Sequence, residues 1–190
     1  MSRPSAGNWR PRRLPASAPP AALKPWLDEP GSLTARLRDL AGAQFNVQPL
    51  EQRWSKAWPD ERRRLLIRGR EHAWLREVLL CQANEPLVYA RSVIPAATLR
   101  GPLQRLRRLG ATPLGTLLFG RYRIIRGPIS VAWLNADARL AQRAAQAAGL
   151  STGRMWARRS VFAIAGRELL VTEVFLPSLI RELNDGNASR

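Results

Sequence analysis

Two charged side chains lie inside apolar stretches of the sequence. Arg76 is part of HAWLREVLLC (residues 72–81), and Glu173 is part of ELLVTEVFLP (residues 168–177). If both stretches are strands, alternation gives each charge mainly apolar neighbours on its own face. Charged groups are rarely buried without partners. An arginine and a glutamate that face one cavity could bind a small, flat, acidic molecule, because a guanidinium holds a carboxylate through two parallel hydrogen bonds.

A simpler interpretation of the same pattern stays open. Arg76 and Glu173, or Arg76 and Glu77 with other partners, could form ordinary ion pairs or lie at the rim of the protein. Periodicity alone does not distinguish an internal ion pair from a binding site.

Other kinds of chemistry find little support in the residues. Cys81 lies in an apolar run, which is typical of a buried small hydrophobe, and one cysteine cannot form an intrachain disulfide. His72 is the only histidine, which excludes a Cys/His zinc site and leaves little for a Ser/His/Asp relay. No glycine-rich phosphate loop and no metal-ligand spacing is present. We therefore predict neither a cofactor nor a metal.

The elements that would position the two charges follow from spacing and turn residues. Ser32 is a candidate N-cap for a helix that Gly42 ends. After this helix the sequence predicts a series of strands separated by turns, with two further helices between groups of strands. ANEP and AGRE are predicted hairpin turns. The predicted strands are FNVQPLEQRW, WLREVLLC, PLVYARSVIP, RYRIIRGPISVAWL (one or two strands), WARRSVFAIAG and RELLVTEVFLP; the predicted later helices are LRGPLQRLRRLG and ARLAQRAAQAAGL; TPLGTLLFG is a predicted loop.

Strands that follow one another, with helices between groups, favour an α+β fold: a single domain with an antiparallel sheet flanked by helices. A chain of 190 residues holds one such domain, which we place at residues 26–182. Residues 1–25 are rich in Pro and Arg and contain no acid, so we predict a disordered basic tail, with a second disordered tail at 183–190.

The net charge of +17 raises the question of an anionic partner. Nearly all the cations are arginines, which also fits a bias of overall composition, and the clusters at 61–70 and 104–110 lack interleaved aromatics. We predict solvated basic faces and no dedicated nucleic-acid partner. No apolar run is long enough for a membrane span and no secretory signal is evident, so we predict a cytoplasmic monomer.

Five blocks of the sequence, in order, resemble the chorismate pyruvate-lyase family. They are WLREVLLC, EPLVYARSVIP, GATPLGTLLF, WARRSVF and LLVTEVFLP, and the resemblance covers about residues 26–180. It implies a compact α+β domain with an enclosed ligand cavity. It also implies a cofactor-independent lyase that eliminates pyruvate from chorismate to give 4-hydroxybenzoate, the first committed step towards ubiquinone.

The resemblance also implies roles for individual residues. Arg76 would pair with the ring carboxylate and Glu173 would approach the ring hydroxyl, so both are candidate catalytic and substrate-binding residues. The backbone amides of Leu114 and of Leu33, where the family commonly has methionine, would bind the same carboxylate. Without the family, Leu33 and Leu114 are equally well explained as core residues.

Three further arginines are candidates for the site, and one of them, Arg91, could hold the second carboxylate, that of the enolpyruvyl group. Arg91 is our predicted ligand, although a salt bridge to a neighbouring acid is the alternative. Arg158 and Arg159 would point to opposite faces of a strand, so only one of them could face the cavity, and either could instead be a surface charge. The segment near 126–150 looks longer than in the family.

A different functional class also remains possible. The family fold is similar to the effector-binding domain of some bacterial transcription regulators, so the chain could be a non-catalytic binding domain for a small aromatic acid, acting as sensor or carrier. The first 25 residues are too short and too rich in proline for a helix-turn-helix module.

Overall fold

The computed structural model describes residues 9–11, 18–115 and 124–188. It contains one antiparallel sheet with helices on both faces, which confirms the predicted α+β class. The strands are β1 (Arg10–Pro11), β2 (Phe45–Ser55), β3 (Ala73–Gln82), β4 (Glu85–Pro95), β5 (Ile124–Arg126), β6 (Ser130–Leu134), β7 (Met155–Ile164) and β8 (Arg167–Phe175). The helices are α1 (Lys24–Leu27), α2 (Leu33–Ala41), α3 (Pro59–Arg64), α4 (Arg139–Ala148) and α5 (Pro177–Ala188), with 3₁₀ turns at Gly42–Gln44 and Gly101–Arg108.

Two antiparallel meanders meet in the middle of the sheet. The strand order is β1-β6-β7-β8-β4-β3-β2, with β5 paired to β7. Strands β2, β3 and β4 form one meander, and β6, β7 and β8 form the other. The seam between them is the β4–β8 pairing, in which Val88 faces Phe175 and Val93 faces Leu170.

Both predicted hairpins are present. The β3–β4 turn contains Ala83, whose φ is 50°, and the β7–β8 turn contains Ala165 and Gly166, with φ of 50° and 74°. Residues with positive φ give two-residue turns a twist that matches the strands they join. The turns set the register that brings Arg158 opposite Glu173 and Glu77 opposite Arg91.

The two predicted capped helices also form as expected. The Ser32 hydroxyl accepts a hydrogen bond from the amide of Ala35 (3.2 Å), and Gly42 follows the last residue of α2 with φ of 55°. Helix α4 ends at Gly149 in the left-handed conformation. The predicted short helix at the second basic cluster is a 3₁₀ segment, Gly101–Arg108, which buries Leu103 and Leu106 and exposes its arginines.

The structure differs from the predicted disordered tails. At the N-terminus, Arg10 and Pro11 pair with β6, and Leu23 is completely buried. At the C-terminus, α5 continues to Ala188, and Leu183 packs on the core. A few apolar side chains in each tail therefore find partners in the domain, which composition averaged over the tail does not show. The remainder of each predicted tail, residues 1–8, 12–17 and 189–190, lies outside the described residues, as does part of the predicted loop 112–120.

The two faces of the sheet are covered by different elements. Helices α1, α2 and α5 and the 3₁₀ segment pack on one face, in two apolar clusters that contain Trp156 and Phe162 respectively. Helix α4 and the turn after α3 cover the other face, where Cys81 is buried.

Within the described residues, no helix is long and apolar enough to cross a membrane.

Candidate functional site

A cavity of about 60 Å³ lies on the first face of the sheet, between its two apolar clusters. Its floor consists of side chains from β3, β4 and β8, and its walls come from the start of α2 and the segment after the 3₁₀ turn. The lining residues are Gly31, Ser32, Leu33, Thr34, Val47, Arg76, Val78, Leu80, Ala90, Ser92, Pro113, Leu114, Gly115, Arg126, Arg158, Phe162, Val171 and Glu173.

Arg76 is a buried cation that no acid neutralises. Only 2% of the residue is exposed, and its Nη2 donates to the carbonyl oxygens of Gly110 (3.1 Å) and Thr112 (3.0 Å). Its Nε has no hydrogen-bond partner, and no carboxylate of the described residues pairs with it. Burial lowers the pKa of Arg76 to about 10. A buried guanidinium with a free donor is suited to binding an anion.

Glu173 and Arg158 form a cross-strand pair on the same face. They lie opposite each other in the β7–β8 register, and Arg158 Nε donates to Glu173 Oε2 at 2.6 Å. The Nη1 of Arg158 also donates to the carbonyl oxygens of Trp26 (2.8 Å) and Glu29 (3.0 Å). The predicted alternation is confirmed, since Arg158 faces the cavity while Arg159 pairs with Asp60 (3.0 Å).

A third guanidinium, that of Arg126 on β5, completes the basic wall. Its Nε donates to the Ser160 hydroxyl (3.0 Å), and its Nη1 donates to the carbonyl oxygens of Glu29, Pro30 and Gly31 at 2.9–3.2 Å. Burial, and then the positive charge of Arg158, lower the pKa of Arg126. Arg126 and Arg158 together hold the backbone that leads into α2.

The first turn of α2 faces the same space. Leu33 and Thr34 are its first two helical residues, whose amide groups have no partner within the helix. The positive end of the helix dipole therefore points at the cavity. Leu114 lines the opposite wall, close to the two carbonyl groups that bind Arg76.

The electrostatics of the cavity favour an anion with two charges. Three guanidinium groups and one carboxylate line it, so two positive charges are in excess. The apolar part of the lining, which includes Val78 and Phe162, suits a flat ring. Within the described residues, no group of three or more His, Cys, Asp or Glu could hold a metal ion.

The structure thus brings four of the five predicted site residues, Arg76, Glu173, Leu33 and Leu114, to one cavity.

Arg91 lies elsewhere, because its strand position points it to the opposite face of the sheet. There it binds Glu61 with two hydrogen bonds (2.7 and 3.0 Å) and also pairs with Glu77. The alternative of a salt bridge to a neighbouring acid is the arrangement that the structure shows.

Sequence reasoning did not single out Arg126. Its strand has only three residues, too few for a periodicity, and the basic stretch around it resembles a solvated segment. Arg158 was a candidate from alternation alone. The composition of the two β7 faces does not rank it above Arg159, because the face of Arg159 is just as apolar and the face of Arg158 also carries Ser160.

Comparisons with known proteins identify the family. The sequence profile described as chorismate lyase matches residues 4–183. A protein of Aromatoleum aromaticum, named a probable chorismate pyruvate-lyase, is 45% identical over 180 residues, which are 94% of this chain and 96% of that one. Proteins with the same name from Azoarcus sp. and Halorhodospira halophila are each 46% identical, over 95% and 92% of this chain and 96% and 92% of their own.

Solved structures support the fold at low sequence identity. A GntR-family transcriptional regulator from Bacillus cereus superposes with a TM-score of 0.55 at 13% identity, over 72% of this chain and 94% of that one. The effector domain of PhnF from Mycobacterium smegmatis gives 0.55 at 16% identity, over 78% and 90% of the two chains. With a profile match over nearly its whole length and relatives at these identities, the chain belongs to the chorismate lyase family.

Proposed function

We propose that this protein eliminates pyruvate from chorismate and releases 4-hydroxybenzoate, in the first committed step towards ubiquinone. The observation that carries the proposal is the cavity charge: two positive charges in excess, with one buried arginine left without an acid partner. Chorismate is a flat dianion with a ring carboxylate, a ring hydroxyl and an enolpyruvyl carboxylate. Family membership supports the same reaction.

Arg76 would anchor the ring carboxylate. The free Nε of Arg76 supplies a donor that no protein group uses, and a carboxylate there would compensate the buried positive charge. The backbone amides of Leu33 and Leu114 would add donors from the two walls. Ser92, which lies beside Arg76 in the β3–β4 register, adds a hydroxyl on the floor.

Glu173 would meet the ring hydroxyl, with Arg158 holding it in place. The short ion pair fixes the carboxylate on the cavity side of β8, because Arg158 is itself held by two backbone carbonyl groups. Arg158 and Arg126 are the guanidinium groups within reach of the enolpyruvyl end. We assign them to its carboxylate in place of Arg91, which the sheet separates from the cavity.

The reaction needs little beyond positioning and charge. The ether bond between the ring and the enolpyruvyl oxygen breaks, and its electron pair leaves with that oxygen. The ring carbon that bears the hydroxyl loses its proton, and the electrons of that C–H bond complete the aromatic ring. The enolpyruvate takes up a proton and becomes pyruvate, so the atoms balance without an oxidant or reductant. Arg126 and Arg158 would stabilise the charge that develops on the leaving oxygen.

The direct test is incubation of purified protein with chorismate and no added cofactor, with quantification of pyruvate and 4-hydroxybenzoate against a protein-free blank. We expect equal amounts of both products, and loss of both in the Arg76→Gln variant. If chorismate persists while 4-hydroxybenzoate still binds, the proposed reaction is wrong and the protein is a sensor or carrier of a small aromatic acid.

Two predictions about the protein's context accompany this function. We keep the cytoplasm as its location and a monomer as its oligomeric state. Light scattering after size-exclusion chromatography would test the second prediction, and a mass of twice the 21.3 kDa of one chain would contradict it.

A further inference from the structure

Exposed apolar side chains are concentrated at one end of the sheet, which we call the arginine end. It is the end at which β2, β4 and β7 finish and β3, β5 and β8 begin. Among the described residues four large apolar side chains are exposed, and three of them are here: Trp54 (39%), Leu66 (77%) and Ile125 (61%). Trp54 is one residue from the end of β2, and Ile125 pairs with Ala163 near the end of β7.

The same end carries a high density of exposed arginines. The end of α3 and the turn after it present Arg63, Arg64, Arg68 and Arg70. The 3₁₀ segment Gly101–Arg108 and the residue before it present Arg100, Arg107 and Arg108. No acidic residue occurs between residues 78 and 136 except Glu85, which begins β4 at the opposite end. No carboxylate of the described residues forms an ion pair with Arg63, Arg68 or Arg70.

Leu66 is exposed to solvent by a turn that is fixed by hydrogen bonds. Its neighbours Leu65 and Ile67 are buried, whereas Leu66 itself has a φ of 53°, a conformation that leucine rarely adopts. Arg62 fixes the turn by donating to the carbonyl oxygens of Gly69 and Glu71. The exposed Leu66 side chain therefore does not contribute to the core, although its backbone conformation is strained. Backbone strain of this kind is often found at functional sites.

Exposed arginines outnumber exposed acids at the arginine end. Its exposed acids are Glu71 and Glu168, and other acids lie towards the opposite end, where Glu85 follows the β3–β4 turn, Asp137 follows β6, and Glu182 lies in α5. The arginine end also borders the ligand site, because the 3₁₀ segment leads directly into the 110–115 wall of the cavity.

We propose that the arginine end docks on the surface of an anionic lipid bilayer, with Leu66 and Ile125 entering the boundary between headgroups and acyl chains. Cations around exposed apolar side chains are the combination that binds such a surface. A nucleic acid fits less well. Leu66 and Ile125 offer no face for base stacking, and Trp54 is packed edge-on against Trp74 and lies under Arg107.

The test is flotation of the full-length protein with vesicles of neutral phosphatidylcholine, or of phosphatidylcholine mixed with phosphatidylglycerol. We expect binding to the anionic vesicles alone, and weaker binding as salt is raised. The double variant Arg68→Gln/Arg70→Gln removes two cations from the arginine end, and we expect its affinity to fall roughly tenfold to thirtyfold. Leu66→Ser keeps the charge, and we expect a loss of about fivefold to tenfold because one side chain no longer enters the bilayer.

The matched control is Arg38→Gln/Arg181→Gln, which removes the same charge from exposed positions near the opposite end. We expect it to bind like the unchanged protein. Equal losses in the two double variants would overturn the proposal, because the attraction would then come from net charge alone. Tight binding of single-stranded DNA or RNA, unaffected by Leu66→Ser and without vesicle binding, would also overturn it.

The bilayer-docking proposal and the proposed lyase reaction can be tested separately, so that the failure of one leaves the other standing. None of the four substituted arginines, nor Leu66, lines the cavity. All three variants should therefore turn over chorismate in solution at the unchanged rate, whatever the outcome with vesicles.

Discussion

Two buried arginines, one on each face of the sheet, show how differently this protein treats the same side chain. Arg76 and Arg91 lie on neighbouring strands and are each 2% exposed. Arg91 is neutralised by Glu61 and Glu77. Burial by itself would lower the pKa of Arg91, but hydrogen bonds and charge from Glu61, followed by charge from Glu77, raise it above the ordinary value. Arg76 has only backbone carbonyl partners, and burial lowers its pKa.

The difference in partners suggests that Arg91 stabilises the fold, whereas Arg76 is available to bind a ligand. On the far face the network extends from Arg91 through Glu77 to Arg143 on α4, and it ties α3, β3, β4 and α4 together. On the cavity face Arg76 keeps an unused donor. A buried cation that the protein leaves uncompensated is costly unless a ligand supplies the missing anion. Buried arginines of the two kinds should therefore respond differently to substitution.

The largest effect should come from Arg91→Met, and it should be on stability. Removing the cation leaves Glu61 and Glu77 buried without their partner, which costs about 3–5 kcal/mol. Urea unfolding followed by circular dichroism measures the change. The double variant Arg91→Met/Glu77→Gln should recover part of it, and an unchanged unfolding midpoint in the single variant would remove the network from the stability of the fold.

Arg76→Met should have the complementary effect, on binding. Losing the anchor of a carboxylate in a buried site should lower kcat/KM for chorismate by about 10²–10³-fold. The free energy of unfolding should change much less than in the Arg91 variant, because no acid is left unpaired. A variant with normal kcat/KM would show that Arg76 does not bind substrate.

Glu173→Gln tests the other end of the site. We expect kcat to fall by about 10–10²-fold with a smaller change in KM, because the glutamine keeps the shape but alters the ion pair with Arg158 and the proposed contact with the ring hydroxyl. Glu168→Gln, an exposed position on the same strand, is the control and should be unaffected. Near-normal turnover in the Glu173 variant would place this residue outside the chemistry.

The pH dependence of binding sharpens the comparison of the two arginines. Arg76 is charged below its pKa of about 10, so affinity for benzoate, whose carboxylate does not titrate in that range, should be constant at neutral and mildly alkaline pH and fall as the pH rises through about 10. Arg91, whose pKa is raised, stays charged throughout. Isothermal titration calorimetry at pH values on both sides of 10 measures the change. Affinity that stays constant up to the pH of alkaline unfolding would contradict the lowered pKa.

The smallest effect is expected from Ser32→Ala, which removes the cap of α2. Loss of the hydrogen bond to the Ala35 amide should destabilise the protein by about 1 kcal/mol. Because this helix end lines the cavity, ligand affinity should also fall by a few-fold. Ser5→Ala, in the N-terminal segment outside the described residues, is a convenient control for expression and purification.

Much of the fold follows from short-range patterns in the sequence. Alternation assigned Arg76 and Glu77 to different faces, turn residues located both hairpins, and capping residues marked α2. The pairing of Arg91 with Glu61 could not be predicted from the sequence, because Glu61 lies thirty positions earlier, on a helix whose run of arginines looks like a solvated segment. Arg126 was missed for a related reason, since its three carbonyl partners lie 95–97 positions away. The catalytic and binding roles assigned to Arg76, Glu173, Leu33 and Leu114 remain predictions.

The seam between the two meanders has a consequence for folding. Arg76 and Ser92 belong to the first meander, while Arg158 and Glu173 belong to the second, so a ligand in the cavity that they line would contact both halves across the β4–β8 pairing. This pairing joins residues far apart in the chain, and such contacts are entropically expensive to form. A molecule that bridges the halves binds the folded state alone and shifts the equilibrium towards it. A substrate bound in this cavity would therefore stabilise the pairing of the two meanders.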